Sequence, residues 1–321
     1  MSGILPQART SVVEPDSAPQ LRFSATRDLI PKIGGGLDSY QIKVIALVFM
    51  TLDHLAACGF KIPIFATYYW ELRRVGRIAA PLFLFILTES MRFTQDKKRF
   101  VIRLYFASVA VGLFTAFTNL IFGGIFVVLS PGNIIFTFFY VALYIYAIER
   151  GITAYRNRKL FVMGCWFAVI PITLLTYFPQ EWMYENAGRV VSTYGLSAKF
   201  LIQDITTSFI QSPLTVEYYY VFVILGVVMY FLRNKTAKVA AFTITSAAFY
   251  LVARYRVFIY PSAYIGMGIF QYPQYWMILA APIMLLYNGK PGKPSKLFFY
   301  IYYPVHRYII AVANSIYLTM A

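Results

Sequence analysis

Apolar stretches recur along the chain from Ser39 to Leu318, each closed by a short polar or basic connection. A hydrocarbon core of ~30 Å needs ~20 mostly apolar residues per crossing helix. The runs that reach or approach this length are 39–59, 75–91, 100–121, 133–148, 160–178, 213–232, 239–254, 273–287 and 296–318. The pattern predicts an all-α, polytopic transmembrane helical bundle of nine spans. A tenth helix or a re-entrant piece is expected at 257–270, where Pro261 and Gly266 interrupt a shorter run, and 200–210 is ambiguous in the same way. Residues 1–37 carry balanced charges and no apolar stretch, so they are expected to be neither signal peptide nor span. They read as a flexible polar tail closing on Gly34-Gly35-Gly36, ahead of a single transmembrane domain over 38–320.

Composition supports a bilayer as the solvent. Of 321 residues, 59% are hydrophobic and only 13% charged, and the mean hydropathy is +0.61, which excludes a soluble core. The formal charge of +16 would suit nucleic acid if it formed a patch. It is instead concentrated in short connections, at Arg92 to Arg103, Arg150 to Lys159, Arg233 to Lys238 and Lys290 to Lys296, while 122–132 has no charge. That alternation is the cytoplasmic Lys/Arg excess of a multi-pass inner-membrane protein. It places the N-terminus in the cytoplasm and the C-terminus outside, with Arg73, Arg74, Arg254 and Arg256 as exceptions. Membrane lipid, not nucleic acid, is the expected surrounding. Cys58 and Cys165 both fall in apolar runs and predict no disulfide.

An ionisable side chain at a helix centre costs ~2.5–3.5 kcal/mol, so each one is a candidate for the bundle interior. Asp53 and His54 lie in the first span, Arg77 and Glu89 in the second, and His306 and Arg307 in the last. At ~1.5 Å per residue His54 sits ~22 Å along its span and His306 ~15 Å along its own. Two imidazoles can line one cavity if the first and last helices are neighbours, an adjacency that sequence does not establish. Histidine is suited to moving protons near neutral pH; an interhelical hydrogen bond is the alternative. Asp53, ~100° away from His54 around the helix, is expected to meet Arg77 or Arg74. Arg77 is read either as a snorkelling interfacial residue or as a carbonyl or phosphate ligand. Arg77 and Glu89 stand ~18 Å apart and cannot pair, so Glu89 is expected to be a satisfied boundary carboxylate. The stretch Asn288-Gly289-Lys290-Pro291-Gly292-Lys293 has glycines for close approach and lysines for charge. It fits either a cytoplasmic phosphorylated cofactor or an ordinary tight loop.

Four motifs in order resemble a known family. Lys43 to Ala46 with Met50-Thr51-Leu52-Asp53-His54-Leu55, then Arg74-Val75-Gly76-Arg77-Ile78-Ala79-Ala80-Pro81-Leu82-Phe83, then Leu286-Tyr287-Asn288-Gly289-Lys290, and finally Phe299 to His306 are similar to the TraX family of conjugative-pilus proteins. The resemblance covers about 38–320. It implies an inner-membrane acyltransferase that moves an acetyl group from acetyl-coenzyme A to the N-terminal amine of a pilin subunit. The family's Asp-His pair falls on Asp53 and His54, its Gly-Arg on Gly76 and Arg77, and its Tyr-Pro-x-His on Tyr303, Pro304 and His306. The second span departs from it with Thr88-Glu89-Ser90, where Glu-Gly is the family pattern, and the N-terminal tail and the long outer connection 179–212 bear on the choice of partner.

On this reading the coenzyme phosphates lie near Lys290 and Lys293, with Asn288 and Gly289 shaping the loop. His54 removes the amine proton, Arg77 or Tyr303 donates to the oxyanion, Asp53 fixes local geometry, and His306 holds the thioester or relays the proton. A covalent acyl-histidine stays open as an alternative, and no metal-ligand set is expected. Two rival readings use the same residues. One is cyclisation of the pilin by amine attack on its own C-terminal carbonyl; the other is a transporter with a proton path through Asp53, His54, Glu89 and His306.

Overall fold

The computed structural model describes residues 35–122, 133–183, 186, 204–255, 274–293 and 296–320. Among these the elements are all helical: α1 Ser39–Cys58, α2 Pro63–Thr67, α3 Tyr69–Gly76, α4 Ala79–Phe93, α5 Lys97–Phe122, α6 Ile134–Arg156, α7 Leu160–Leu175, α8 Tyr219–Phe231, α9 Lys235–Tyr255, a 3-10 helix Gln274–Leu279 running into α10 Ala280–Leu285, and α11 Lys296–Met320. Each of the nine apolar runs falls on helix. Four stretches, Ser39–Cys58, Lys97–Asn119, Ile134–Arg156 and Leu160–Met183, are long and apolar enough to cross a membrane. The 257–270 candidate and the tail 1–34 lie outside the described residues, and of 200–210 only 204–209 is seen as helix.

Local chemistry sets the helix ends. Asp38 opens α1 with a reciprocal capping box: its carboxylate accepts from Gln41 N at 2.8 Å and its own N–H donates to Gln41 Oε1 at 2.9 Å. Asn133 opens α6 by accepting from Ile135 N at 3.1 Å. The second expected span, 75–91, is interrupted: α3 ends at Gly76, Arg77 and Ile78 form a turn, and α4 begins at Ala79. Pro81 has no N–H to give the Arg77 carbonyl four residues back, which breaks the ladder at that point. The run 213–232 is likewise helical only from Tyr219, because 213–218 is spent in turns that close on Tyr218 at φ +63°.

Helix α4 is the centre of the packing, lying against α1, α6, α8 and α10, with Leu82, Leu84, Phe85, Ile86 and Met91 buried in a core that also holds Phe136, Phe222 and Phe242. Apolar side chains face outward as well: Phe106, Phe161, Ile244 and Ile309 are all more than half exposed, as expected where lipid is the solvent.

The basic connections meet at one end of the bundle. Arg92 donates to the carbonyls of Tyr230 (2.6 Å), Leu232 and Arg233 (3.3 Å), and Lys97 reaches Glu149 and Tyr230 Oη. Lys235 donates to the carbonyls of Leu285 and Tyr287. The loop 286–290 is bound to residues 36–39 through Leu37 N to Leu286 O (2.8 Å), Asn288 N to Leu37 O (2.9 Å) and Ser39 N to Lys290 O (2.9 Å).

Candidate functional site

Helices α1 and α11 pack side by side and run parallel, since their contacts rise in step along both. Tyr40 meets Phe299 edge-on, Thr51 Oγ1 lies 2.8 Å from Tyr302 Oη, His54 meets His306, and Lys61 N donates to Asn314 Oδ1 at 2.8 Å. Thr51, His54 and Tyr302, His306 recur at three- and four-residue spacing, so each pair lies on one helical face. This is the adjacency the sequence left open.

The histidines form a directed chain. His306 Nδ1 lies 2.6 Å from the Tyr302 carbonyl, and a carbonyl only accepts, so that nitrogen carries the hydrogen. In neutral His306, Nε2 is then the lone-pair nitrogen, and it lies 2.6 Å from His54 Nδ1, which must donate to it. The tautomer of His54 follows: its lone pair is on Nε2, which has no hydrogen-bond partner among the described residues. Tyr302 stacks on the His306 ring at 4.8 Å and 16°, holding its plane. Thr51 Oγ1 donates to Leu47 O at 2.9 Å, so the Tyr302 hydroxyl is the donor to Thr51 and anchors the stacking ring in turn.

Tyr303 is buried, with its ring 6.4 Å from each imidazole. Its hydroxyl accepts from Ile134 N at 3.4 Å and from Arg307 Nη1 at 3.5 Å. Neither contact uses the hydroxyl's own proton.

Asp53 is held on the other side of α1, bonded to Arg73 Nη1 at 2.8 Å and Arg77 Nη2 at 2.5 Å. The expectation of Arg77 or Arg74 is corrected in its second member. Arg74 is half exposed and 3.9 Å from Glu71, while Arg73, one position earlier in α3, turns inward. Gly76 makes the approach possible, because a Cβ there would overlap the Asp53 side chain. Arg77 is 6% exposed and donates also to Arg73 O (3.2 Å) and Gln274 Oε1 (3.3 Å), so the snorkelling reading is overturned. Its guanidinium lies 6.0 Å from the Tyr218 ring.

Glu89 is paired with Lys238, whose side chain is 1% exposed, and this bears out the satisfied carboxylate. Lys238 itself was counted among the loop charges. In the glycine loop, Gly289 (φ +80°) and Gly292 (φ +67°) occupy left-handed backbone, and a Cβ on Gly292 would meet the Asp38 carboxylate. The Asn288 side chain donates to Gly36 O and accepts from Lys290 N (2.9 Å), which makes it a clamp on the start of α1. Lys290 and Lys293 remain exposed, at the end of α1 opposite to His54.

Sequence reasoning passed over Glu217. This half-buried carboxyl couples electrostatically to Arg307, Arg77, Asp53 and Arg73, and His54 lies in the field of the same three arginines. A carboxylate inside the apolar run 213–232 was the signal. Arg73 carried one signal, its place with Arg74 against the Lys/Arg alternation, though nothing chose between the two; Gln274 carried none, since a glutamine at a span end is ordinary.

Fold and site together define an all-α polytopic helical protein with a polar cluster, centred on a histidine pair, enclosed between its first and last helices. The chain belongs to the TraX family, matching the family description "TraX protein" over residues 38–198 and 196–314. It is similar to a probable fimbrial assembly protein, FimC of serogroup H1, from Dichelobacter nodosus, with 25% identity over 287 residues that cover 86% of this chain and 95% of that protein. No solved structure matches the chain significantly.

Proposed function

We propose that this protein is an acyltransferase of the bacterial inner membrane that acetylates the N-terminal amine of a pilin subunit from acetyl-coenzyme A, and so serves pilus or fimbrial assembly. Family membership and the fimbrial relative support the assembly role. The observation that carries the chemistry is the His54–His306–Tyr302 chain, which leaves a single imidazole lone pair, on His54 Nε2, without a hydrogen-bond partner among the described residues. The amine nitrogen attacks the thioester carbonyl carbon and the carbon–sulfur bond breaks. His54 Nε2 takes a proton from the nitrogen and passes it to the departing thiolate, a contribution of about 10²–10⁴ in rate. The Tyr303 hydroxyl donates to the carbonyl oxygen as it gains charge, while Asp53 with Arg73 and Arg77 fixes α3 against α1. Lys290 and Lys293 offer charge to the coenzyme phosphates at the basic end. His54 lies ~22 Å along α1 from that end, so the donor's arm has to follow the helix into the bundle.

The proton-path reading has less support. His306 Nδ1–H ends on a backbone carbonyl, Asp53 is tied to two arginines, and Glu89 is tied to Lys238. Intact-mass spectrometry of pilin co-produced with the wild-type chain or with His54→Ala tests the proposal. A gain of one acetyl group with the wild type, absent with the variant, is expected. Loss of one water would show cyclisation instead, and an unchanged pilin mass would sink acyl transfer to pilin.

A further inference from the structure

His54 keeps its Nε2 lone pair only while its own hydrogen sits on Nδ1. Nδ1 keeps that hydrogen because His306 Nε2 stands 2.6 Å away to accept it. His306 accepts there because its own Nδ1 donates to the Tyr302 carbonyl at 2.6 Å. Turning the His306 ring out of this plane breaks both bonds at once, so whatever holds that ring holds the tautomer of His54.

The ring is held by Tyr302. The two rings stack with centroids 4.8 Å apart and planes 16° from parallel, and Phe298 packs against Tyr302 at 5.7 Å. Phe298, Tyr302 and His306 recur every four positions, which sets them in one column along α11. The Tyr302 hydroxyl is fixed in turn: it donates to Thr51 Oγ1 at 2.8 Å, and Thr51 gives its own hydrogen to Leu47 O at 2.9 Å. Thr51 lies three residues before His54 on α1, and Tyr302 four before His306 on α11. Their bond therefore ties the same two helices about one turn, ~5 Å, ahead of the histidine contact. Other contacts along the seam keep the helices side by side, Tyr40 with Phe299 and Lys61 N with Asn314 Oδ1. What the Thr51–Tyr302 bond adds is the placement of the His306 ring.

We infer that Thr51 and Tyr302 are positioning residues of the proposed transfer: acting through His306, they hold His54 in the one tautomer and orientation whose Nε2 lone pair takes the amine proton. His306 then orients the base, and neither holds the thioester nor relays a proton. The inference rests on the acyl-transfer reading. Loss of one neutral hydrogen bond is worth about 2- to 10-fold, and displacing a catalytic group by ~1 Å can cost on the order of 10²-fold.

Two readouts test it. The chain has only 2 histidines, so ¹⁵N NMR of the full chain, labelled in histidine and reconstituted in lipid, resolves every imidazole nitrogen. At about pH 8, above the ordinary imidazole pKa, each Nδ1 of the wild type carries a hydrogen and each Nε2 carries none. In Tyr302→Phe and in Thr51→Val the His54 nitrogens show a mixture of tautomers. The second readout is a peptide assay: the full chain in detergent, acetyl-coenzyme A and a synthetic peptide bearing the pilin N-terminal sequence with a free amine, with acetylated peptide counted by mass spectrometry. Each variant loses about 2- to 10-fold in kcat with KM for peptide and coenzyme unchanged. The double variant loses no more than the worse single one, because both remove the same bond. His306→Gln, whose amide offers one acceptor and a donor as the neutral imidazole does, recovers most of what His306→Ala loses. A hydrogen on Nε2 of either histidine in the wild type, or wild-type kcat in both single variants, would overturn the inference and leave acyl transfer standing. So would additive losses or losses carried by KM, which mark a general packing role, and a His306→Gln as inactive as His306→Ala, which marks a proton relay. No acetylation by the wild-type chain would overturn the acyl-transfer reading and the positioning role with it.

Discussion

Asp53 offers the sharpest check on how the site is held. Its two carboxylate oxygens are divided between Arg73 and Arg77, whose side chains are only 12% and 8% exposed. Asn at this position keeps the volume, so the change opens no cavity, but it removes the charge that two buried guanidinium groups share. The amide oxygen can accept from one arginine, while the amide N–H₂ then faces the other, donor against donor. Breaking a buried pair by removing one partner costs ~3–5 kcal/mol. The retained hydrogen bond and the nearby Glu217 put Asp53→Asn at the lower end, about 3 kcal/mol or roughly two decades in the unfolding constant. The assay is SDS-driven unfolding of the full chain in mixed micelles, followed by tryptophan fluorescence. Arg74→Ala is the internal control. Its partner Glu71 is 3.9 Å away and both are about half exposed, so that variant should stay within ~0.5 kcal/mol of wild type. Combining Asp53→Asn with Arg73→Gln should cost less than the two single losses added, with a coupling of ~0.5–3 kcal/mol. If Asp53→Asn unfolds at the same SDS fraction as Arg74→Ala, the buried ion pairs are not what fixes α3 to α1.

Gly76→Ala should destabilise the same contact by ~1–3 kcal/mol through overpacking, because its Cβ falls within the Asp53 side chain; the same SDS titration reads it. Lys290→Ala with Lys293→Ala should leave unfolding unchanged, since both are exposed, and raise KM for acetyl-coenzyme A in the peptide assay. Asn288→Ala should do the reverse, lowering stability by ~1 kcal/mol through loss of the clamp on Gly36.

Much of the candidate site was legible from rarity alone. Charges and imidazoles in apolar runs are costly enough that Asp53, His54, Arg77, Glu89, His306 and Arg307 stood out; all prove to be at least half-buried, and all but Glu89, which pairs with Lys238, are close to one another. Arg73 stood out with Arg74 as an exception to the Lys/Arg alternation, but Arg74 was preferred to it as the partner of Asp53. Its choice over Arg74 depends on which face of the short helix α3 meets α1. Glu217 was hidden as one carboxylate at the edge of a run whose helix starts later than its hydropathy. The glycine loop was read for close approach and charge, or as an ordinary tight loop; what it approaches is residues 36–39, a contact between segments 250 residues apart that no local pattern encodes.

The sequence by itself determined the helices, their apolar exteriors and the short inventory of polar groups placed among them, because hydropathy, capping and proline act over a few residues. The break between α3 and α4 was not read from the sequence, where 75–91 runs on as one span, although Pro81 supplies its local cause. Only the tertiary structure decided that the first and last helices lie together and parallel. That packing brings His54 within 2.6 Å of His306, directs the tautomers through the Tyr302 carbonyl, and gathers three arginines and two carboxyl groups around them. Distances between residues 252 positions apart depend on how whole helices pack, and packing is settled by the sum of many contacts rather than by any residue read alone.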